Sequence, residues 1–302
     1  MSFTQKLLSA NFTLASGSFG GGGNTLSLSG LRMSAHYEAT GATTIGMAST
    51  MTLAIWGMKL SQMNQLTTFG TQYSARNHNQ IQLYAGEAPA GASLTGAQSS
   101  QMNLVFSGQI YEAYIDAKQM PQVCFRVTTG AAGIFYAVKP VQPTSLPGSQ
   151  PVANMMQTLA GQMGLQFQNN GVNVNLLNPY YYGAPWTQAL QIARHANVDM
   201  HVERGTLSIS PPGTPNSGGA VLVSKDTIMV GYPSFQSNLL IVKVLFTPSL
   251  KCNDTIQVKS DFTPANGTWK INKITGDLDS MMPHGQWYQT LECPTISSTD
   301  SE

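Results

Sequence analysis

Charge is what this chain has least of. Asp, Glu, Lys and Arg make up only 10% of its 302 residues, against about 25% in an average soluble domain. The few charges nearly cancel, leaving a formal net charge of +1, so there is no general electrostatic case for nucleic-acid binding. The scattered acids Glu38, Glu87, Glu112, Asp116, Asp199 and Asp226 show no mutual spacing of the kind glycoside cleavage needs. Cysteine is also scarce. Cys124, Cys252 and Cys293 are odd in number and far apart in sequence, which argues against a disulfide framework and against a cysteine metal site. No apolar run reaches 18 residues, so no membrane-spanning helix is expected. Residues 1–10 carry one lysine and no sustained apolar segment, so no secretory signal is expected, and the chain reads as a product of a reducing cytosol. The glycine-rich stretch 17–24 is not followed by Gly-Lys-Ser/Thr. A phosphate loop would lack its lysine and its metal-binding hydroxyl, so the stretch reads as a flexible or sharply turning connection.

Gln, Asn, Ser, Thr and Gly stand where charge is missing. A lone monomer usually keeps itself soluble with charge. A neutral polar surface suits a protein covered by partners, with a secreted, β-rich carbohydrate-binding or adhesin module as the alternative. Hydrophobic residues at 42% suffice for sizeable cores, and the length predicts two or three domains.

Along the chain the hydrophobic period changes twice. Leu26 and Leu28, then Met33, Ala35 and Tyr37, then Met51, Leu53 and Ile55 alternate as strands do. Residues 47–63 are open between strand and helix. Leu104, Phe106, Gly108 and Ile110 form another strand, whose interior glycine marks a bulge or a close backbone approach. Met120-Pro121 breaks the chain before a strand through Val123, Phe125 and Val127. Three prolines within residues 140–148 read as a semi-rigid linker and a domain boundary. Val152, Met155, Met156, Leu159 and Met163 then take helical spacing, stopped by Gly164. Pro185 opens a second helix, where its missing N–H costs nothing, with Trp186, Ala189, Leu190 and Ala193 on its buried face. Met200, Val202, Leu207 and Ile209 form a hairpin turned by Arg204-Gly205.

The C-terminal region returns to strands, expected over 239–246, 255–260, 268–275 and 286–293. Asn266-Gly267 is the dipeptide favoured in two-residue hairpin turns, with positive φ at both residues, and would fix the register through Trp269 and Trp287. Four such strands predict a small antiparallel barrel or sandwich. The expected fold is mainly β with a small α+β module, divided as 1–139, 140–220 and 221–302.

No constellation of reactive residues stands out. His201 and Glu203 share one side of a strand, but two ligands do not make a metal site, and a surface pair on a hairpin is the simpler reading. His284 lies near Asp277, Asp279 and Ser280 in sequence, without a nucleophile elbow or an oxyanion signature. No catalytic residue, metal or cofactor is therefore expected. Tyr180, Tyr181 and Tyr182 form an aromatic run with two readings, an interface anchor or core plugging.

Three blocks, in order, resemble one family. They are the run holding Phe106, Gly108, Ile110, Met120 and Pro121; the helix–"NNGV"–"NP"–helix–hairpin order ending in "GTLSISPPG"; and the C-terminal pattern from Gly231-Tyr232-Pro233 through "FTPSLKCNDTIQVKS" to "NGTWKINKITGDLDSMMPHGQWYQTLEC". Together they resemble the baseplate hub proteins of Mu-type, contractile-tailed phages. The resemblance implies two tail-tube-like antiparallel barrel or sandwich domains flanking the α+β module. It implies a homotrimer that joins a sixfold tail tube protein to a threefold central spike protein among other baseplate proteins. DNA would pass through the channel without specific binding, and the protein would reside in the virion tail. Larger hubs carry a lysozyme-like module or spike-like repeats, and neither is read here. On this view Tyr180, Tyr181 and Tyr182 are the candidate interface, while Gly108, Pro121, Asn266, Gly267, Trp269 and Trp287 are structural.

Overall fold

A computed structural model describes residues 4–20, 22–40, 49–70, 79–89, 102–118, 122–131, 140–216 and 218–294. The N-terminal region holds strands β1 (Thr4–Thr13), β2 (Thr25–Ser29), β3 (Arg32–Thr40) and β4 (Thr50–Trp56), helix α1 (Leu60–Leu66), and strands β5 (Gln80–Pro89), β6 (Asn103–Asp116) and β7 (Cys124–Gly130). Alternate residues of β3 (Met33, Ala35, Tyr37, Ala39) are buried while their neighbours face outward, as a half-covered sheet requires. The described part of 47–63, residues 49–63, contains both structures. Gly57, at φ +88°, ends β4 with a backbone conformation that only glycine adopts easily. The chain then enters α1, which buries Met63 and Leu66. Gly108 sits between two register shifts of β6, one against β5 and one against β7. A Cβ there would lie 2.8 Å from Phe106 Cε1 and 3.1 Å from the Gly130 backbone. Met120 and Pro121 lie outside the described residues.

The middle region holds β8 (Thr144–Ser145), β9 (Ser149–Pro151), α2 (Val152–Gln162), β10 (Gln166–Asn169), β11 (Asn175–Leu177), β12 (Tyr180–Tyr181), α3 (Pro185–His195), β13 (Asp199–Glu203) and β14 (Thr206–Ser210). Its core is its own: Val152, Met156, Leu159, Ala189, Ile192, Leu207 and Ile209 pack together, apart from the rest of the protein. Gly164 ends α2 in the left-handed conformation, φ +71°. The proline-rich stretch 140–148 is tied to the module by the buried Gln188. Its Nε2 donates to the Gln142 carbonyl (3.3 Å) and the Gly183 carbonyl (3.0 Å), and its Oε1 accepts from Thr144 N (3.2 Å) and Oγ1 (2.6 Å).

The C-terminal region holds β15 (Val221–Ser224), β16 (Ser234–Gln236), β17 (Leu239–Leu245), β18 (Thr255–Lys259), a 3-10 turn (Thr263–Ala265), β19 (Gly267–Lys270), β20 (Lys273–Ser280) and β21 (Trp287–Pro294). Two expectations are corrected here. The run 268–275 is two strands in different sheets: β19 joins β18 and β15, while β20 joins β21 and β3. The chain crosses between them at Ile271, whose N–H and C=O bond to Asp254 and Asn253, and at Asn272, whose N–H donates to the Glu292 carbonyl. Asn266-Gly267 is also not a two-residue turn. Asn266 is extended (φ −70°, ψ 134°), and Gly267 has φ +145°. The loop is longer because Thr263–Ala265 form a 3-10 turn, and the Asn266 amide closes it by accepting from Ser260 N (2.6 Å) and donating to Ser260 O (3.0 Å). The doubly positive φ occurs instead at Arg204 (+51°) and Gly205 (+80°).

One eleven-stranded sheet runs through both β regions in the order β16-β17-β21-β20-β3-β4-β7-β6-β5-β1-β2. The ladder between β20 and β3, from Lys273↔Thr40 to Ser280↔Met33, joins them. The sheet curls, since β1 returns to β20, where Ser280 Oγ donates to the Lys6 carbonyl at 3.1 Å. A single apolar core, from Leu8 and Phe12 to Leu278 and Leu291, lies under all of it.

Candidate interface

Few charges stand on the outside of this platform, and several of them pair across neighbouring strands. Lys273 Nζ lies 3.1 Å from Glu38 and 3.9 Å from Glu292. His36 Nδ1 is 2.7 Å from Asp277, Arg126 is 2.7 Å from Asp116, and Lys6 pairs with Glu87. Such pairs at the surface contribute little each, and they leave a polar, nearly neutral exterior. Among the described residues the two ends of the sheet are β16 and β2, whose outer edges present backbone groups able to pair with another strand.

The three tyrosines divide by strand alternation. Tyr181 is buried, its hydroxyl 3.1 Å from His195 Nδ1. Tyr180 and Tyr182 are 63% and 64% exposed. A second aromatic surface borders β16, where Tyr232, Pro233, Ser234, Phe235, Asp261 and Phe262 line a shallow groove of about 600 Å³. Phe235 packs there against Phe262 and Trp269, with ring centroids 6.0 Å and 6.1 Å apart. Trp269 donates to the Ala265 carbonyl at 2.9 Å. Trp287 is buried edge-on against Phe246 at 5.3 Å, under the Lys6 ammonium.

The hairpin of β13 and β14 meets loop 248–254 in a buried polar joint, and the expectation of a surface His201–Glu203 pair is corrected. Both side chains lie under that loop. His201 is 7% exposed, with its Nδ1 3.1 Å from Asn253 Nδ2. Burial, then the nearby Lys270 ammonium, holds its pKa down to about 4. Glu203 accepts from Cys252 N at 3.1 Å. Burial raises its pKa, against the lowering pull of Arg204 and that N–H. Arg204 Nη1 and Nη2 donate to the carbonyls of Pro248 (2.8 Å) and Leu250 (2.9 Å). Its Nε lies 3.3 Å from Glu203 Oε1, an ion pair without hydrogen-bond alignment. Asn216 adds bonds to the Cys252 carbonyl (3.0 Å) and to Asp254 (2.8 Å). A polar cavity of 170 Å³ lies alongside, bordered by His201, Glu203, Lys251 and Asp254 among others. The sequence reading missed this joint. Its signal is the density of polar and charged residues at 201–204 in a chain that otherwise avoids charge.

The residues weighed for acyl chemistry are occupied elsewhere. The Ser280 hydroxyl is buried on the Lys6 carbonyl, Asp277 faces His36, and Asp279 accepts from Gln286 N. Among the described residues no group of three His, Cys, Asp or Glu side chains gathers as metal ligands.

Residues 10–293 match the family model described as baseplate hub gp41. No curated protein sequence matches the chain. Among solved structures, the chain is similar in fold to the 43 kDa tail protein of prophage MuSo2 from Shewanella oneidensis, at 10% identity, TM-score 0.61 and 97% coverage of both chains. It is also similar to the tail protein from Neisseria meningitidis MC58, at 10% identity, TM-score 0.59, and 95% and 96% coverage. A third similarity is to a chain of the Francisella PdpA–VgrG complex, at 7% identity and TM-score 0.53, covering 97% of this chain and 58% of that one.

Proposed function

We infer, from the premise that this chain belongs to the baseplate hub gp41 family and is a structural component of a phage tail baseplate, that it acts as a homotrimeric hub. In this reading it joins a sixfold tail tube to a threefold central spike, contacts other baseplate proteins, and lines part of the path by which DNA leaves without sequence readout. It is a part of the virion tail and not an enzyme. The observation that carries the reading is the extent of the family match, which runs from β1 to the end of β21. The neutral exterior supports it, as do the outer edges of β16 and β2, which pair with no further strand among the described residues. A closed ring needs two different faces of one chain to meet, and opposite edges of one sheet are such faces. The exposed Tyr180 and Tyr182, with the adjacent buried Tyr181, form the proposed contact surface to a partner.

The test is mass in solution together with negative-stain images of purified protein, alone and with the tube and spike proteins of the same tail. Threefold particles are expected. A monomer that persists at high concentration, and is absent from the virion, would overturn the reading.

A further inference from the structure

The middle module and the eleven-stranded platform have separate apolar cores. Among the described residues, no helix or strand of the module packs extensively against a helix or strand of the platform. What crosses between them is polar. Arg204 reaches two carbonyls of loop 248–254, Glu203 takes the Cys252 N–H, and His201 meets Asn253. Lys270 stands 3.9 Å from Asp199. Asn216, on the segment leaving the module, binds the same loop through its side chain and through its N–H to the Asn253 carbonyl at 2.8 Å. The polar cavity beside them has room for several waters. Polar joints open at lower cost than apolar ones, because water replaces the bonds that are lost.

Arg204 gives the second observation. It is the first residue of the two-residue turn between Glu203 and Thr206, at φ +51°. Such turns favour Asn, Asp or Gly there, and a long side chain in this conformation carries strain. Arginine at this position makes the turn intrinsically worse. Its guanidinium, however, bridges Pro248 and Leu250 from the tip of the hairpin.

We propose that the middle module is an arm seated in a polar socket, with Arg204 as the latch, and that it can leave loop 248–254 as a folded unit while the eleven-stranded sheet stays intact. The inference is independent of the trimeric hub reading, since it concerns two bodies within one chain.

The test uses the full-length chain carrying Arg204→Asn. This variant installs Asn-Gly, the preferred turn dipeptide, so the hairpin itself is not weakened. Hydrogen exchange read by mass spectrometry is expected to quicken at least roughly tenfold in 248–254 and 211–216. Exchange in Val152–Gln162, Pro185–His195 and the β3–β20 ladder is expected to stay unchanged. Asn216→Ala, which loosens the same socket from the other side, is expected to act in the same places. Exchange that is unchanged everywhere, or protection lost throughout the module together with the loop, in both variants, would overturn the proposal.

Discussion

Tyr37 and Gly276 are direct partners across the ladder that joins the two β regions, and the tyrosine ring lies over the glycine. A Cβ on Gly276 would stand 2.1 Å from Tyr37 Cε1, far inside contact distance. The ring passes through the gap and reaches β21, where its hydroxyl accepts from Gln289 Nε2 at 2.8 Å. Gln289 in turn accepts from Thr247 N at 2.9 Å. Three strands and a loop are thus tied by one buried row, which exists only because residue 276 has no side chain. Burial raises the Tyr37 pKa well above its ordinary value, so the phenol stays neutral and keeps its hydrogen bond.

Gly276→Ala is therefore expected to destabilise the protein by about 1–3 kcal/mol through overpacking, and Gly276→Val by more. Tyr37→Phe is expected to cost about 1 kcal/mol for the lost bond to the buried Gln289. Combining Gly276→Ala with Tyr37→Leu should recover part of the overpacking cost, because the smaller side chain vacates the space the new methyl needs. Urea unfolding midpoints of the wild type, Gly276→Ala, Tyr37→Leu and the protein carrying both changes form a double-mutant cycle. Strictly additive losses would show that ring and glycine are not coupled.

The exposed tyrosines lead to a different kind of expectation. Tyr180→Ser and Tyr182→Ser together remove little buried area, so the unfolding midpoint should move by no more than about 0.5 kcal/mol equivalent. Loss of assembly with partner subunits, read by mass photometry, is the expected effect if these rings anchor an interface. Tyr181→Phe is the control with the opposite profile, removing the buried contact to His195 and lowering stability without changing the outer surface. Assembly that survives the double Tyr→Ser change would remove this surface from the contact.

Much of the fold is legible in the sequence because burial imposes period. The helix through Val152, Met155, Met156 and Leu159 and the alternation of β3 and β21 are both read directly from apolar spacing. The division of 268–275 is not, because Trp269, Ile271 and Ile274 look like one continuous strand. The chain changes sheets at Ile271 to satisfy backbone groups of Asn253 and Asp254, which are distant in sequence. Asn266-Gly267 misleads for a related reason. The dipeptide has a second use, in which the asparagine amide rather than its backbone closes the loop. The Tyr37–Gly276 seam and the Arg204 socket are contacts between segments far apart in sequence. Local pattern carries no record of which strand lies beside β3 or of which loop receives the hairpin tip.

The socket also makes stability depend on pH, with two groups acting in opposite directions. His201 has its pKa lowered from 6.5 to about 4. Between those values the unfolded or undocked chain binds a proton that the seated form does not. Its contribution is therefore full above about pH 6.5 and is lost progressively as pH falls toward about 4, a span of roughly 3 kcal/mol at most. Glu203 has a raised pKa, so the seated form gains a proton sooner than the open form does, and lowering the pH relieves the cost of its buried charge. Lys270, Asp199 and Lys251 set the field at His201, and Arg204, Lys251 and Asp254 set it at Glu203. Glu203→Gln removes the opposing titration and keeps an acceptor for Cys252 N. In that variant the urea midpoint is expected to fall steadily from pH 7 to pH 4. Adding His201→Asn should flatten the same curve, since asparagine can still bond Asn253 and does not titrate in this range. A Glu203→Gln protein whose midpoint is constant or rises across that window would show that His201 does not govern the acid response of the joint.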